Sequence, residues 1–512
     1  MTTLRFADLR FATVSELIAI NARECPEKVA IRRGSTAITY RELHRCTGRM
    51  AAALQRDAIG LHDAIAIVSS DSLASTLIVL GAVRAGCVAV PIAPSVLPEQ
   101  MAAMIANSGA SLVFLDTDIA GNVPILGTKV VYTEAFDRWL TSTEGKAQVI
   151  DVLPTDPFNI IYSSGTTGTP KGIVQTHAMR WNQIAAYGQL APRCDLSVTL
   201  IATPIYSNTT LVCLLPTLAY GGTVVLMDKF DAYGFLVEAE RVHATHTMLV
   251  PVQYQRIMAQ QDFDSFDLEH FVFKACTGAP FSAELKADVV RRWPGALLEI
   301  YGMTEGGGTC LLSAHQFPDK LHTVGRPAPG CEIRLIDTQG REVAAGEIGE
   351  VVGRSNMMMS GYHGHVTASR EAGWLDVDGN LYIRHGDLGR FDEEGFLVLL
   401  GRTKDMIISG GFNVYPSDIE AALRTHPDVE DCAVIGVPCA VWGETPYAFY
   451  VPRGESVASQ EVLAWVNARV GKTQRLSGAQ TIEKLPMNAA GKVLKRELRE
   501  QYLAHFPAAS QG

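Results

Sequence analysis

Cysteine is present in this sequence, but in no spacing that marks a metal site or a disulfide framework. The ten cysteines, at 25, 46, 87, 194, 213, 276, 310, 331, 432 and 439, form no C-x-x-C pair and no zinc-finger pattern. They read as small buried hydrophobes in a reducing compartment. Positive charge is also short: 44 Lys and Arg against 54 Asp and Glu leave a net charge of -10, which argues against nucleic acid as a partner. No unbroken apolar run is long enough for a membrane span. The most apolar stretch, Leu73 to Ile92, carries Arg84 and meets Pro91, and Met1 to Ile20 is interrupted by Arg5, Asp8, Arg10 and Glu16. No G-x-S-x-G elbow gives serine hydrolysis a footing, and no repeat or low-complexity tract interrupts the chain. His243 with His246, and His363 with His365, lack the companion carboxylate or cysteine spacing of a metal site and read as packing or surface histidines. These absences predict a soluble cytoplasmic protein with no stable membrane insertion.

What is present is length and apolar content. With 512 residues, 47% of them hydrophobic, the chain exceeds what one core supports and calls for at least two domains. Helical and strand patterns alternate from Thr13 to Leu115 and again from Ser197 to Ala275, as in helix-flanked sheets. Gly346 to Val352 and Gly395 to Leu400 read as short strands in a more β-rich region. A change of character falls near Gly401-Arg402-Thr403-Lys404-Asp405. Beyond it, about a hundred residues suit a compact α+β unit. Within that unit Ser417-Asp418-Ile419-Glu420 fits a capping box, and a basic last helix follows Lys492. The predicted class is therefore α/β: a large N-terminal domain, 1–403, of helix-flanked sheets plus a β-rich subdomain, then a small mobile α+β C-terminal lid, 404–512.

The most informative stretch is Tyr162-Ser163-Ser164-Gly165-Thr166-Thr167-Gly168-Thr169-Pro170-Lys171-Gly172, which follows an apolar strand pattern, Phe158 to Ile161. Its small residues let backbone N–H groups approach a polyanion, while hydroxyls and Lys171 add donors and a positive charge. It is not a Walker A loop, because Pro170 precedes Lys171 and Gly172 follows it. At a second strand end, Glu299-Ile300-Tyr301-Gly302-Met303-Thr304-Glu305 gathers an aromatic plane, a hydroxyl and a carboxylate. Tyr301 suits stacking on a purine and Glu305 suits Mg2+. Asp387, in His385-Gly386-Asp387, and Arg402 suit the hydroxyls of a ribose and a sugar or phosphate, although each residue type is most often a plain surface charge. Lys492, after Gly491, is either a solvated helix-start lysine or an ammonium placed to meet negative charge.

Together these segments resemble the adenylate-forming superfamily, and in particular its AMP-forming acyl-CoA synthetases of the 4-chlorobenzoate:CoA ligase and fatty-acyl-CoA synthetase type. The resemblance spans the chain from about Thr13 to the Lys492 motif. It implies that Ser163, Ser164, Gly165, Thr166, Thr167, Gly168 and Lys171 grip the phosphates of ATP, and that Glu299, Tyr301 and Gly302 belong to a nucleotide motif. In that motif Thr304 would contact the α-phosphate and Glu305 would hold Mg2+. Gly278 and Ala279 would wall the acyl pocket and touch adenine. Asp387 and Arg402 would bind ribose, Lys404 would be the hinge, and Lys492 the catalytic lysine. Gly411, Trp442 and Arg475 would meet coenzyme A.

Tyr206, Ser207, Asn208, Gly278, Gly302 and Gly306 would line the acid pocket. Ser207 stands where many relatives carry a histidine that gates the thiol tunnel, leaving Tyr206 or Asn208 as substitutes. The glycines Gly306, Gly307 and Gly308 suggest room for an aryl, alicyclic or medium-chain acid. The implied reaction is adenylation of a small carboxylic acid by MgATP, then thiolysis of the acyl-AMP by CoA. The alternatives are a stand-alone adenylating enzyme loading a carrier protein in trans, or a nucleotide-binding regulatory protein without catalysis. A homodimer is left open.

Overall fold

The structure is a computed structural model. It describes residues 9–121, 128–141, 147–163, 171–192, 194–409, 412–439, 441–454, 458–487 and 492–506, with Ser163 described by its backbone alone. Among the described residues, strands assemble into four sheets.

The largest sheet has nine strands. Its parallel centre runs through Ala296–Gly302, Phe273–Cys276, His246–Leu249, Val198–Ile201, Thr223–Leu226 and Val29–Arg33, and antiparallel strands close each edge. A seven-stranded sheet has its own parallel centre of Pro157–Ser163, Val88–Pro91, Ala64–Val68, Leu112–Leu115 and Lys129–Tyr132. Beyond Pro157–Ser163 it continues antiparallel through Lys171–Thr176 to Gly361–Tyr362.

Helices fill the space between the two sheets. Ile65 and Ile67 of one sheet share a core with Ile31, Val224 and Ile201 of the other and with the helices Tyr40–Arg56, Ser72–Arg84 and Asn208–Ala219. The alternate residues Ala64, Ala66 and Val68 face the opposite way, onto Met101, Met104 and Ile105 of the helix Pro98–Ser108. Leu200 and Val225 likewise turn to a separate cluster with Phe235, Tyr254 and Trp293. Strands covered on both faces read as continuous apolar runs, which is why these segments were visible in the sequence. The helix Ser72–Arg84 is the apolar stretch carrying Arg84, and it is a core helix between sheets. Among the described residues no helix is long and apolar enough to cross a membrane.

The β-rich subdomain is a third sheet of Glu332–Ile336, Gly349–Arg354, Leu381–Phe391 and Gly373–Leu375, with Leu397–Arg402 paired to Leu381–Phe391. Sheet membership changes between Arg402 and Ile407. The C-terminal unit is a fourth sheet of Ile407–Ser409, Phe412–Val414, Val429–Cys439, Gly443–Pro452 and Gly478–Thr481, packed by the helices Pro416–Arg424, Ser459–Asn467 and Lys495–His505.

The expected capping box at Ser417 does not form. The helix begins with Pro416 after Tyr415, without a side-chain cap, and the Ser417 hydroxyl instead donates to the carbonyl of Leu400 in the preceding sheet. Glu420 is drawn across the domain, accepting from the backbone N–H of Val434 (2.9 Å) and from Lys495 Nζ (2.7 Å). A tertiary ion pair has won over a local cap.

One close approach fixes the packing of the inter-sheet helices. A Cβ at Gly81 would collide with the Met50 side chain of the facing helix. Gly81→Val should therefore lower stability by about 1–3 kcal/mol through overpacking, outweighing the helix propensity gained on losing glycine. Calorimetry should show an earlier N-terminal transition, and an unchanged transition temperature would contradict the packing described.

Candidate active site

The hairpin formed by Pro157–Ser163 and Lys171–Thr176 pairs Ser163 with Lys171, which brings the two ends of the Ser/Thr/Gly loop together at a strand end. Ser164, Gly165, Thr166, Thr167 and Gly168 of that loop lie outside the described residues, as does the side chain of Ser163. Lys171 is described, and its ammonium lies 5.1 Å from the ring centroid of Tyr362. The Tyr362 hydroxyl donates to Glu305 Oε1 (2.9 Å), while the Glu305 carbonyl accepts from the Met359 N–H (2.8 Å). Lys171 and Glu305, 134 positions apart in the chain, thus meet around one tyrosine. Tyr362 was not singled out in the sequence. Its only local signal is its place beside glycine in a two-residue strand, Gly361–Tyr362, that edges the hairpin.

A second convergence centres on Tyr301, at the end of the strand Ala296–Gly302. Its hydroxyl donates to Asp387 Oδ2 (2.8 Å), and Asp387 Oδ1 lies 2.7 Å from Arg402 Nε. Asp387 and Arg402 are direct cross-strand partners, so the ladder itself fixes their juxtaposition. His385, two residues before Asp387 on the same strand face, stacks on Tyr301 with ring centroids 5.4 Å apart. Its Nε2 is 2.6 Å from the Gly307 carbonyl and its Nδ1 is 3.1 Å from the Tyr301 hydroxyl. Because a carbonyl only accepts, Nε2 carries the proton and Nδ1 faces the phenol. Burial, and then the neighbouring Asp387, hold the Tyr301 phenol well above its ordinary pKa, so it remains a donor.

Lys492 shares this neighbourhood. Burial first, and then Arg402 and Lys404, push its ammonium down to about 8, against the opposing pull of Asp387 and Asp405. Lys404 is also lowered, chiefly by burial. Lys404 lies in the turn Thr403–Asp405 between the third and fourth sheets, and Asp405 accepts from Arg499 Nη2 of the last helix (3.3 Å). The C-terminal unit therefore presents its lysine to the Asp387–Arg402 pair.

Thr304 is tied to the hairpin, since Gln175 Nε2 donates to its carbonyl (2.8 Å) and also lies 3.5 Å from Asn208 Oδ1. Tyr206, Ser207 and Asn208 sit at the start of the helix Asn208–Ala219, where Ser207 occupies the cap position without a side-chain cap bond. Gly278 follows the strand Phe273–Cys276 with φ +96°, a left-handed conformation that favours glycine, and Ala279 comes next. The site segments thus leave neighbouring strand ends of the two large sheets.

Two expectations need correction. Glu299, two residues before Tyr301 on the same strand, is committed to another partner: it is 5% exposed and forms an ion pair with Lys286 of the helix Ala283–Arg292. Lys286 also donates to the carbonyls of Leu321 (2.7 Å) and Thr323 (3.0 Å). Desolvation raises the Glu299 carboxyl to about 7 although Lys286 opposes the shift. The glycines at 306–308 do not leave room either. A Cβ on Gly306 would meet the Met357 carbonyl, one on Gly307 the Ile383 side chain, and one on Gly308 the Ile333 side chain. They allow the turn to press against the third sheet, and Gly306 accordingly abuts backbone rather than open space.

The residues assigned to coenzyme A stand apart. Gly411 lies outside the described residues. Trp442 is 56% exposed near the exposed Phe412 and Ile408, whose strand pairs at Ser409 with Gly443, and Arg475 is exposed after the turn Lys472–Gln474. The described hydrogen bonds and ion pairs do not join Trp442 or Arg475 to the Tyr301–Asp387–Arg402 cluster. His246 is buried between the Thr245 hydroxyl (2.8 Å) and the Pro192 carbonyl (2.9 Å), and burial lowers it to about 4. Among the described residues no group of three or more His, Cys, Asp or Glu is placed to hold a metal.

Comparison with known proteins places these features in context. A family described as AMP-binding enzyme matches residues 18–363, and the AMP-binding enzyme C-terminal domain matches residues 418–492. A feruloyl-CoA synthase from Amycolatopsis is 33% identical over 496 residues, covering 94% of this chain and 97% of that protein. An indoleacetate–CoA ligase from Aromatoleum aromaticum is 30% identical, with 95% and 98% covered. The crystal structure of ATP-bound MatB from Rhodopseudomonas palustris superposes with a TM-score of 0.85 at 28% identity, covering 96% of this chain and 99% of that one.

The buried Lys286–Glu299 pair gives a direct test of the site's inner wall. Lys286→Met would strand a carboxylate and should cost about 3–5 kcal/mol of stability, whereas Lys286→Met with Glu299→Gln should recover much of the loss. Thermal unfolding of the two variants measures this. Equal melting temperatures for wild type and Lys286→Met would contradict the pairing.

Proposed function

The chain belongs to the AMP-binding enzyme family, and we infer that the cleft bordered by Lys171, Thr304, Asp387 and Lys492 is where it works as an AMP-forming acid–CoA ligase. The substrates are a carboxylic acid, ATP and CoA. The acid's carboxylate attacks the α-phosphorus of ATP, giving acyl-AMP and pyrophosphate, and the CoA thiol then attacks the acyl carbon and expels AMP. Splitting the reaction in this way replaces a poor leaving group by AMP.

The observation that carries this reading is the convergence of Tyr301, Asp387, Arg402 and Lys492 from two domains. The Asp387 carboxylate is all acceptor, so it suits two ribose hydroxyls; Arg402 holds it in place and adds positive charge. Tyr301 offers its ring face toward the base. Thr304 supplies a hydroxyl near the α-phosphate. Lys171 from the hairpin and Lys492 from the lid bracket the phosphates, where negative charge grows in the transition state. Glu305 is a single carboxylate held by Tyr362, whose ring also meets Lys171, a donor set that fits Mg2+ bound mainly through substrate phosphates. When bound there, the ion would neutralise phosphate charge.

Trp442 and Arg475 are exposed on the C-terminal unit and share no described hydrogen bond or ion pair with the Tyr301–Asp387–Arg402 cluster, so a second lid posture, reached by rotation at Lys404, would bring them to the cleft for thiolysis. That is gating by domain motion, not a property of the chemical step. The relatives named for feruloyl and indoleacetyl acids favour an aryl monocarboxylate as substrate.

Acid-dependent ATP–pyrophosphate exchange over a panel of aryl, alicyclic and medium-chain acids, repeated with CoA, tests the assignment. Lys492→Ala should lower exchange by about 10²–10³-fold, in line with loss of one transition-state donor. In the free enzyme the ammonium is lost as pH rises through about 8. The kcat/KM for ATP should therefore fall above that pH, and the limb should vanish in Lys492→Ala. A variant with full exchange would remove Lys492 from the reaction.

A further inference from the structure

Arg180 is a charge with no role in the site described so far. It lies in the first turns of the helix His177–Leu190, between Met179 and Trp181, and is 1% exposed. Burying a guanidinium without a carboxylate is costly; here its described hydrogen-bond acceptors are all amide oxygens, and the Phe158 ring lies 5.7 Å from its Cζ. Its Nε and Nη2 donate to Asn159 Oδ1 (3.0 and 2.8 Å), its Nη1 donates to Gln183 Oε1 (2.7 Å), and its Nη2 also donates to Gln175 Oε1. Burial pushes the guanidinium down to about 9, with no carboxylate acting against it.

Arginine has donors only, so the groups facing it must turn oxygens toward it. That settles the orientation of both amides. Gln175 presents Oε1 to Arg180, and the same oxygen accepts from Asn159 Nδ2 (3.0 Å) across the strand pair Asn159–Gln175. Its Nε2 is thereby directed the other way, to the Thr304 carbonyl at 2.8 Å and toward Asn208 Oδ1 at 3.5 Å. Gln175 stands four residues after Lys171 on the same strand, hence on the same face. One side chain therefore spans the hairpin that carries Lys171, the turn that carries Thr304 and the helix start that carries Asn208.

We propose that Gln175, its amide oriented by Arg180 and Asn159, is a positioning residue that holds the Thr304 turn in register with Lys171 for attack on the α-phosphorus. This rests on the ligase reading for its chemistry, but the contact itself does not. Held by a buried donor, the turn keeps the Thr304 hydroxyl where charge develops, without reorganisation at the moment of reaction. A displacement of that turn would cost turnover more than ATP binding, because other groups grip the nucleotide. Asn208 lies at the weak end of the same amide, so an acid pressing on the pocket wall and the phosphate contact share one support.

Gln175→Glu separates positioning from structure. The new carboxylate, kept ionised by the adjacent guanidinium, gives Arg180 a counter-charge and so preserves the buried cluster. It also sets a lone pair against the Thr304 carbonyl in place of the donated hydrogen. The expected result is a fall of about tenfold or more in kcat for pyrophosphate exchange, a KM for ATP within about threefold, and a melting temperature equal to or above that of the wild type.

Hydrogen exchange of the 301–310 segment, where the Gly306 N–H is held by the Met303 carbonyl (3.0 Å), should quicken in the variant. A kcat within about threefold of wild type, a fall in kcat that tracks a lowered melting temperature, or unchanged exchange over 301–310 would each overturn the proposal. If the wild type shows no acid-dependent pyrophosphate exchange with any acid, the ligase reading fails instead, and hydrogen exchange alone decides the role of Gln175.

Discussion

The Asp387–Arg402 pair is the interaction on which the site depends. It joins the last two strands of the third sheet at the end rung of their pairing, immediately before the chain turns through Thr403–Asp405 into the C-terminal unit. Its partners reach across the molecule: Tyr301 comes from an edge of the parallel centre of the nine-stranded sheet, and Lys492 from the lid. A charged pair in this position does two jobs. It fixes a carboxylate whose oxygens can accept from a ligand, and it sets the electrostatic surroundings in which a desolvated lysine must sit. Lys492 is pushed down by burial and by Arg402, so the lid posture carries an electrostatic cost that a polyanionic ligand would relieve. On the proposed reading, closure of the lid and occupancy of the cleft by phosphate would be coupled.

Around this pair the protein treats buried charge in two different ways. Lys286 and Glu299 pair on the strand that presents Tyr301, with backbone carbonyls taking the remaining ammonium protons. Arg180 has amide oxygens and the Phe158 ring in place of a carboxylate, and one of those amides, Gln175, also donates to the Thr304 carbonyl. The first arrangement braces a strand, while the second holds a loop. Both adjoin segments that carry candidate site residues, where a shift of about an ångström in a reacting group would be expensive.

Much of the fold was readable because parallel strands covered on both faces are continuous apolar runs. Ala64–Val68, Thr223–Leu226 and His246–Leu249 are such strands, and they fall inside the two stretches where helical and strand patterns alternate. Helix starts were less visible: Asn208–Ala219 and Ala232–Arg241 each begin three residues before their first strongly apolar position, because first turns tolerate polar residues. The capping pattern at Ser417 misled because a local signal cannot report that Glu420 has a better partner 75 residues away. Glu299 misled for a similar reason, its partner lying on a helix that no motif announced. The proximity of Tyr301, Asp387, Arg402 and Lys492 could be anticipated from short strings that resemble a family's. Tyr362, Gln175 and Arg180 act through neighbours distant in sequence and belong to no such string, while His385 stood inside one without a role of its own. Only Arg180, a charge set among the buried residues Met179, Trp181 and Ile184, carried a faint sign of its role.

The central claim is that Asp387, held by Arg402, receives the ribose of a nucleotide in a cleft that the lid closes. Isothermal titration of AMP against wild type and Asp387→Asn, with folding checked by circular dichroism, tests it most directly. Losing a charged acceptor for two hydroxyls should weaken binding by about 10–100-fold. Equal affinities for the two proteins would contradict the account.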